Sequence, residues 1–249
     1  MANSGESSKN KIPLAIVTGA SQRLGKAIAL ELARNGYAIG LHYFQSQSHA
    51  ENTSREIEKL GQTAILLQAD LRDSCQIQDL FSRVPSDRFH LDILVNSAAV
   101  IKQKNLVNLT LEEWDNTLNI NLRAPWLLSV EAAKMMNPSG GSIINISDTG
   151  THKVWASYGA YLVSKSGLEM MTKLLAKTLA PSIRVNGVAP GLILPSPEMD
   201  PGEWEALQAH VPLKKSGDPR HIADAVLYLA RHEYITGETL VVDGGYQLN

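Results

Sequence analysis

The sequence predicts a single α/β domain, doubly wound, with a parallel sheet of about seven strands and helices on both faces. Two observations predict it. Short apolar runs alternate with amphipathic stretches along almost the whole chain, and the first apolar run passes through a glycine-bearing turn into the first helical stretch. In an open sheet of this kind a ligand lies outside the carboxyl ends of the strands, where the strand order reverses.

Residues 11–18 read as a buried strand, followed by Gly19-Ala-Ser21-Gln-Arg23-Leu-Gly25 and an amphipathic helix over 24–35. Gly19 permits the tight turn, amides at the helix start attract an anion such as phosphate, and Gly25 lets the helix sit close to the strand. Beyond it, 38–43 reads as strand, 48–60 as helix ending at Gly61, 63–68 as strand, 74–83 as helix and 92–96 as strand. A helical region over 111–136, interrupted or kinked near Pro125, precedes strand 142–146, helix 157–179 and strand 183–189. Helix 219–229 and a strand around 239–242 complete the set. The one irregular stretch, 192–218, carries Pro195, Pro197, Pro201 and Pro212 around a short helical piece near Trp204; connections this long usually have a task, and a lid over a bound substrate is the expectation.

A chain of 249 residues fits one large domain, here 12–249, behind a polar tail over 1–11 expected to be flexible. A domain of this size buries about 70–75% of its unfolded surface. With 23 basic against 25 acidic residues and no dense run of either sign, neither nucleic acid nor a membrane surface is an expected partner. Cys75 is the only cysteine, so no intramolecular disulfide forms and a reducing compartment is the simplest home. No apolar stretch approaches the ~20 residues of a spanning helix, and the tail lacks the apolar core of a signal peptide; a soluble cytoplasmic protein is expected. The histidines show no paired metal-ligand spacing, so no metal site is expected.

Tyr161 and Lys165 stand four residues apart within the helix expected over 157–179, a spacing that stacks them on one face. An ammonium beside a phenol favours the phenolate, so Lys165 is expected to bring Tyr161 down from its ordinary value towards one where it passes a proton during a reaction.

Together with Thr18-Gly19, Asp70-Leu71, Asn96-Ser-Ala98, Asn121-Leu, Asn145-Ile-Ser147, Arg184-Val-Asn186, Pro190-Gly191 and Asp243-Gly-Gly245, in that order, this pair makes the chain resemble the short-chain dehydrogenase/reductase family over almost its full length. The resemblance implies a Rossmann-type domain with a nicotinamide dinucleotide across the strand ends. It implies that Lys165 and Tyr161 hold the ribose, Asn121 steadies a water chain behind Lys165, and Pro190 and Gly191 border the carboxamide. Gly19, Ser21, Leu24, Gly25, Asp70, Leu71, Asn96 and Ala98 would line the rest of the dinucleotide site.

Two departures narrow the subgroup: Arg23 stands where the family usually has glycine, and Asp148 where it has its active-site serine. Both resemble the pteridine and dihydromonapterin reductases, as do His42-Tyr43 closing the second strand and Ser46 after it. No carboxylate follows that strand to claim a ribose diol, and Arg23, helped by Ser46, suits a 2′-phosphate; NADPH is the expected cofactor. An ionised Asp148 suits a ketone poorly, since two unit charges ~4 Å apart interact by roughly 4 kcal/mol at an effective dielectric of 20, which opposes a developing alkoxide. Hydride addition to a C=N bond instead ends by protonating nitrogen. The expected reaction is therefore reduction of a C=N bond in a pterin-like heterocycle, with Tyr161 as acid, Lys165 lowering its pKa and Asp148 orienting it. In pteridine reductases an aromatic residue stacks on the substrate where this chain has Ile101, which leaves Trp155, Tyr158 and Trp204 as stacking candidates. A 3-oxoacyl or sugar ketone reductase, with Ser147 as hydroxyl donor, and a non-catalytic NADPH sensor are the alternatives. Apolar residues on a second face of helix 157–179 (Leu168, Met171, Leu174, Leu175) suggest subunit pairing, and the resemblance implies a homotetramer.

Overall fold

The computed structural model describes residues 11–136, 140–196 and 199–249; apart from Lys11 the expected flexible tail, and Pro197 of the expected lid, lie outside them. Seven apolar runs form the strands β1 (Ile12–Val17), β2 (Ala38–Tyr43), β3 (Ala64–Gln68), β4 (Phe89–Asn96), β5 (Gly141–Ile146), β6 (Ile183–Pro190) and β7 (Thr239–Val242). They make one parallel sheet in the order β3-β2-β1-β4-β5-β6-β7. The chain steps outward from β1 to β3 and then returns to the far side of β1, so the order reverses between β1 and β4 and a crevice opens there.

Helices α1 (Arg23–Arg34) and α2 (Gln47–Lys59) cover one face, joined there by α8 (Pro219–Arg231). Ile28 and Leu32, Ile57, and Ile222 and Val226 bring these three helices into one apolar layer with Val17, Leu41 and Val95 of the sheet. On the other face α3 (Ser74–Ser82), α5 (Ala124–Met136) and α6 (Gly159–Leu179) pack Leu80, Leu128 and Ala176 against Leu14, Ile16 and Leu94. Strands covered on both sides carry mostly apolar residues, and all six residues of β2 are buried, His42 among them with both ring nitrogens paired. Each fully buried Leu or Ile side chain stabilises the fold by about 1.5–3 kcal/mol.

Two elements differ from the sequence reading. β4 begins at Phe89, three residues earlier than expected, because its alternate polar residues satisfy one another: His90 Nε2 lies 2.9 Å from Asp92 Oδ1. The long helical region is two helices, α4 (Leu111–Leu118), opened by a Thr110/Glu113 capping box, and α5, joined by a π-helical turn at Asn119–Arg123. Pro125 has no N–H for the carbonyl of Asn121, so the ladder widens ahead of it and Ala124 N–H reaches back to Asn119 O.

The irregular stretch is an excursion with a closed neck, where Gly217 N–H donates to Leu192 O at 2.8 Å. It carries α7 (Pro201–His210), started by the Asp200 side chain accepting from Gly202 and Glu203 N–H, and no residue of α7 is buried. Among the described residues no helix is long and apolar enough to cross a membrane.

α1 approaches the turn that precedes it so closely that a Cβ on Gly25 would lie 2.3 Å from Gly19 O. Gly25→Ala must push helix and turn apart, and a loss of about 1–3 kcal/mol in folding free energy is expected. Chemical denaturation measures it, and an unchanged midpoint would contradict this packing.

Candidate active site

Backbone geometry shapes the crevice first. Gly19 takes φ 65°, and a Cβ there would sit 3.1 Å from Ala98 Cα, so the turn after β1 lies directly against the turn after β4. Thr18 Oγ1 fixes that contact by accepting from Ser97 and Ala98 N–H at 2.9 and 3.0 Å. From behind, His42 Nδ1 accepts from Gly19 N–H at 3.1 Å while Nε2 lies 3.1 Å from Ala69 O. Burial lowers the His42 pKa to about 4, so the ring stays neutral and keeps this acceptor at physiological pH.

The resulting cleft of about 500 Å³ is lined by Gly19, Ser21, Arg23, Leu24, Gly25, His42, Tyr43, Asp70, Leu71 and Ala98, all expected there, together with Phe44 and Arg72. Other expected dinucleotide residues are not among those lining this cleft. Ser46 holds the N-cap position of α2, with no capping hydrogen bond from its side chain. Pro190 ends β6 and Gly191 follows it, its N–H donating to Val242 O at 3.0 Å. Asn96 turns inward and donates to Asn145 Oδ1 at 2.8 Å, and Asn145 donates to Thr172 Oγ1 at 2.8 Å, so its side chain ties β4 to β5 and α6 instead of facing a ligand. Arg23 takes φ 52°, a conformation that suits the glycine usual at this position, and its Nη2 donates to Pro195 O at 2.8 Å. Part of its guanidinium therefore holds the 192–218 excursion against the turn.

Tyr161, Lys165 and Asp148 gather where β5 ends and α6 begins. Tyr161 O–H donates to Asp148 Oδ2 at 2.7 Å, and Asp148 Oδ1 accepts from Gly150 N–H at 2.7 Å. Lys165 Nζ donates to Ile146 O at 2.7 Å and lies 5.7 Å from the centre of the Tyr161 ring. Asn121 is a brace: its Nδ2 donates to Val100 O at 2.8 Å and Ser164 Oγ at 3.1 Å, and its Oδ1 accepts from Val100 N–H at 2.9 Å. Its amide links the cleft wall to α6, and the Lys165 ammonium is met by Ile146 O instead.

The electrostatics correct one expectation. Burial, then the charge of Asp148 and the hydrogen bond to it, raise the Tyr161 pKa well above its ordinary value, where Lys165 was expected to lower it. The phenol is thus a neutral proton donor. Burial also raises the Asp148 carboxyl above the usual carboxylate range, against the opposing effect of its hydrogen bonds from Tyr161 and Gly150. Burial lowers Lys165 to about 8, with Asp148 working against that shift.

Sequence reasoning missed what holds the Asp148 loop. Glu169, two turns along α6 from Tyr161, accepts at one oxygen from Ser147 Oγ at 2.7 Å and Thr151 Oγ1 at 2.8 Å, clamping the residues on either side of Asp148. Ser147 is buried and its proton is committed to Glu169, so it is not placed as a hydroxyl donor beside Tyr161. Tyr246 was also missed. It packs 6.2 Å from Trp155, which lies 6.0 Å from Tyr158, so two of the stacking candidates join an aromatic cluster next to this loop. Trp204 is on α7, and Ile101 is exposed. A signal for Glu169 was its helical spacing from Tyr161 and Lys165; Tyr246 offered none.

A glycine turn at the reversal of a parallel sheet suits the diphosphate of a dinucleotide, and a neutral phenol beside a buried ammonium suits proton delivery after hydride transfer. These features define a dinucleotide-dependent oxidoreductase on a Rossmann-type fold. The family model described as enoyl-(acyl carrier protein) reductase matches residues 19–247. The 3-oxoacyl-(acyl-carrier-protein) reductases of Staphylococcus aureus and of a Synechocystis species are each 33% identical, covering 93% of this chain and 96% of theirs. The crystal structure of FolM alternative dihydrofolate reductase 1 from Brucella suis, in complex with NADP, is 30% identical with a TM-score of 0.90, covering 95% of both chains. The chain belongs to the short-chain dehydrogenase/reductase family.

A Lys165 pKa of about 8 has a clear sign: the ammonium is present below that pH and lost above it. Dinucleotide affinity should weaken as pH rises through about 8, and a Lys165→Met enzyme should bind weakly with no such step. Fluorescence titration across this range checks it, and a pH-independent affinity in the unmodified protein would refute it.

Proposed function

We propose that the protein uses NADPH to reduce a ring C=N bond of a pterin-like heterocycle, a dihydropteridine or dihydrofolate. The observation that carries this reading is the Tyr161 hydroxyl donating to the Asp148 carboxylate at 2.7 Å while the neighbouring Ser147 hydroxyl is turned to Glu169. A carboxylate at this position opposes charge growing on an alkoxide and favours a proton on nitrogen. The likeness to a solved dihydrofolate reductase supports the same reading.

The cofactor is NADPH. The residues fit it: the glycine cradle would be filled by a Cβ at Gly25, and the residues after β2, Phe44 and Gln45, present no carboxylate to repel a 2′-phosphate. When bound it supplies the hydride. Tyr161 would give its proton to the ring nitrogen, and Asp148, ionised while it accepts the Tyr161 hydroxyl, would then take a proton from solvent and pass it to Tyr161 through Oδ2, its buried carboxyl holding a proton more readily than usual. Lys165, which donates to Ile146 O, would hold the ribose. The 192–218 excursion closes over the substrate, tied at one end by Arg23.

The protein is read as a cytoplasmic homotetramer with a small-molecule substrate and no nucleic-acid or membrane partner. Val163, Met170 and Leu174 form an exposed apolar stripe on α6, and Trp126 is exposed on α5; Leu168, expected on that second face, is in the core instead. A ketone reductase is the second reading, favoured by the 3-oxoacyl reductases among the relatives. Assays of NADPH oxidation with dihydrobiopterin, dihydrofolate and an acetoacetyl thioester separate the two, and turnover of the thioester alone would replace the first reading by the second.

Tyr161→Phe should lose about 10²–10⁴ in turnover while NADPH binding is retained; unchanged turnover would end the assignment of the acid. Because the Asp148 carboxyl is raised, reduction should quicken as pH falls through its titration, and Asp148→Asn should flatten that limb of the kcat/KM profile. An Asp148→Asn profile identical to that of the unmodified enzyme would remove Asp148 from the proton path.

A further inference from the structure

A 2′-phosphate carries up to about two negative charges near neutral pH, and one exposed cation holds it weakly. The positions directly after β2 supply none, being Phe44 and Gln45. Arg23 shares its Nη2 between Pro195 O at 2.8 Å and Leu194 O at 3.5 Å. A different guanidinium stands at this end of the cleft. Arg72, in the loop after β3, lines the cleft with Phe44, and its Cζ lies 5.4 Å from the centre of the Phe44 ring. β2 and β3 run parallel with Tyr43 opposite Gln68, so the loops leaving their carboxyl ends are neighbours and Arg72 reaches the end of β2 from the side.

Its orientation is set before any ligand arrives. Arg72 Nε donates to both oxygens of Asp70 at 2.9 and 3.0 Å, and Nη2 donates to Asp70 Oδ2 at 2.6 Å. That leaves Nη1 without a partner among the described residues. A guanidinium held flat on one edge loses little freedom when its other edge meets an oxyanion, which is the advantage of its planar fork over a lysine. Arg123 Nη2 donates to Arg72 O and places a second cationic side chain against the same loop.

We propose that Arg72 recognises the 2′-phosphate of NADPH and so sets the preference over NADH, taking the part that basic residues after β2 would otherwise play. The proposal rests on the NADPH reading and adds a residue to it. Dissociation constants for NADPH and NADH, measured by fluorescence titration on the full-length protein, test it with Arg72→Ala and with Arg72→Met, which keeps the apolar stem over Phe44. The expected result is a loss of about tenfold or more for NADPH in both variants, the scale of one charge-assisted contact, with NADH affected less than about twofold. Equal losses for both dinucleotides would assign Arg72 to packing at the adenosine end, and no loss would make the Asp70 pair a surface contact; either overturns the proposal. So would Arg23→Ala abolishing the preference while the Arg72 variants keep it. A different failure, an unmodified protein that binds NADH as tightly as NADPH, would strike the cofactor reading itself.

Discussion

One proton held between two buried oxygens organises this molecule. The 2.7 Å contact from Tyr161 to Asp148 joins the loop after β5 to the first turn of α6, and it survives only where both groups are shielded from water and otherwise satisfied. Gly150 N–H takes the other carboxylate oxygen, Lys165 grips Ile146 O just upstream, and Glu169 clamps Ser147 and Thr151. Every one of these contacts runs between the β5 loop and α6 or closes the loop upon itself. Burial then does the chemical tuning, raising both the phenol and the carboxyl so that each holds a proton more firmly than usual.

The same helix is tied to the crevice by two buried polar bridges. One runs from Asn96 through Asn145 to Thr172, the other from Val100 through Asn121 to Ser164. One carries Asn96, which the family resemblance assigns to the dinucleotide site, and the other Asn121, which it assigns to a water chain behind Lys165; both amides donate to the protein. Hydride and proton must reach adjacent atoms of one substrate, and a misplacement of about 1 Å costs heavily in rate. Bridges of this kind keep the dinucleotide side and the acid side in register.

The 192–218 excursion is built to the opposite standard. α7 buries no residue, and the neck rests on Gly217 N–H to Leu192 O. Few apolar contacts mark the low-stability end of a structure, a description that fits α7, while Ile193 and Val211 on either side of it are buried. Arg23 couples it to the glycine turn, so the guanidinium that a sequence reading assigns to phosphate also holds this excursion in place.

The strands and most helices were legible because burial on both faces imposes apolar runs, as in β1, and because amphipathic spacing sets helix faces. The glycine turn and the Tyr161/Lys165 pair were legible for a similar reason: both are local in the chain. What the sequence determined by itself is thus the set of elements, the crevice and the pairing of Tyr161 with Lys165 on one helix face. Tertiary structure alone decided the direction of the Tyr161 shift, the inward turn of Asn96, the diversion of Ser147 to Glu169 and the arrival of Arg72 beside Phe44. Each depends on a partner distant in the chain, and a side chain's charge state and hydrogen bonds follow from what burial places beside it.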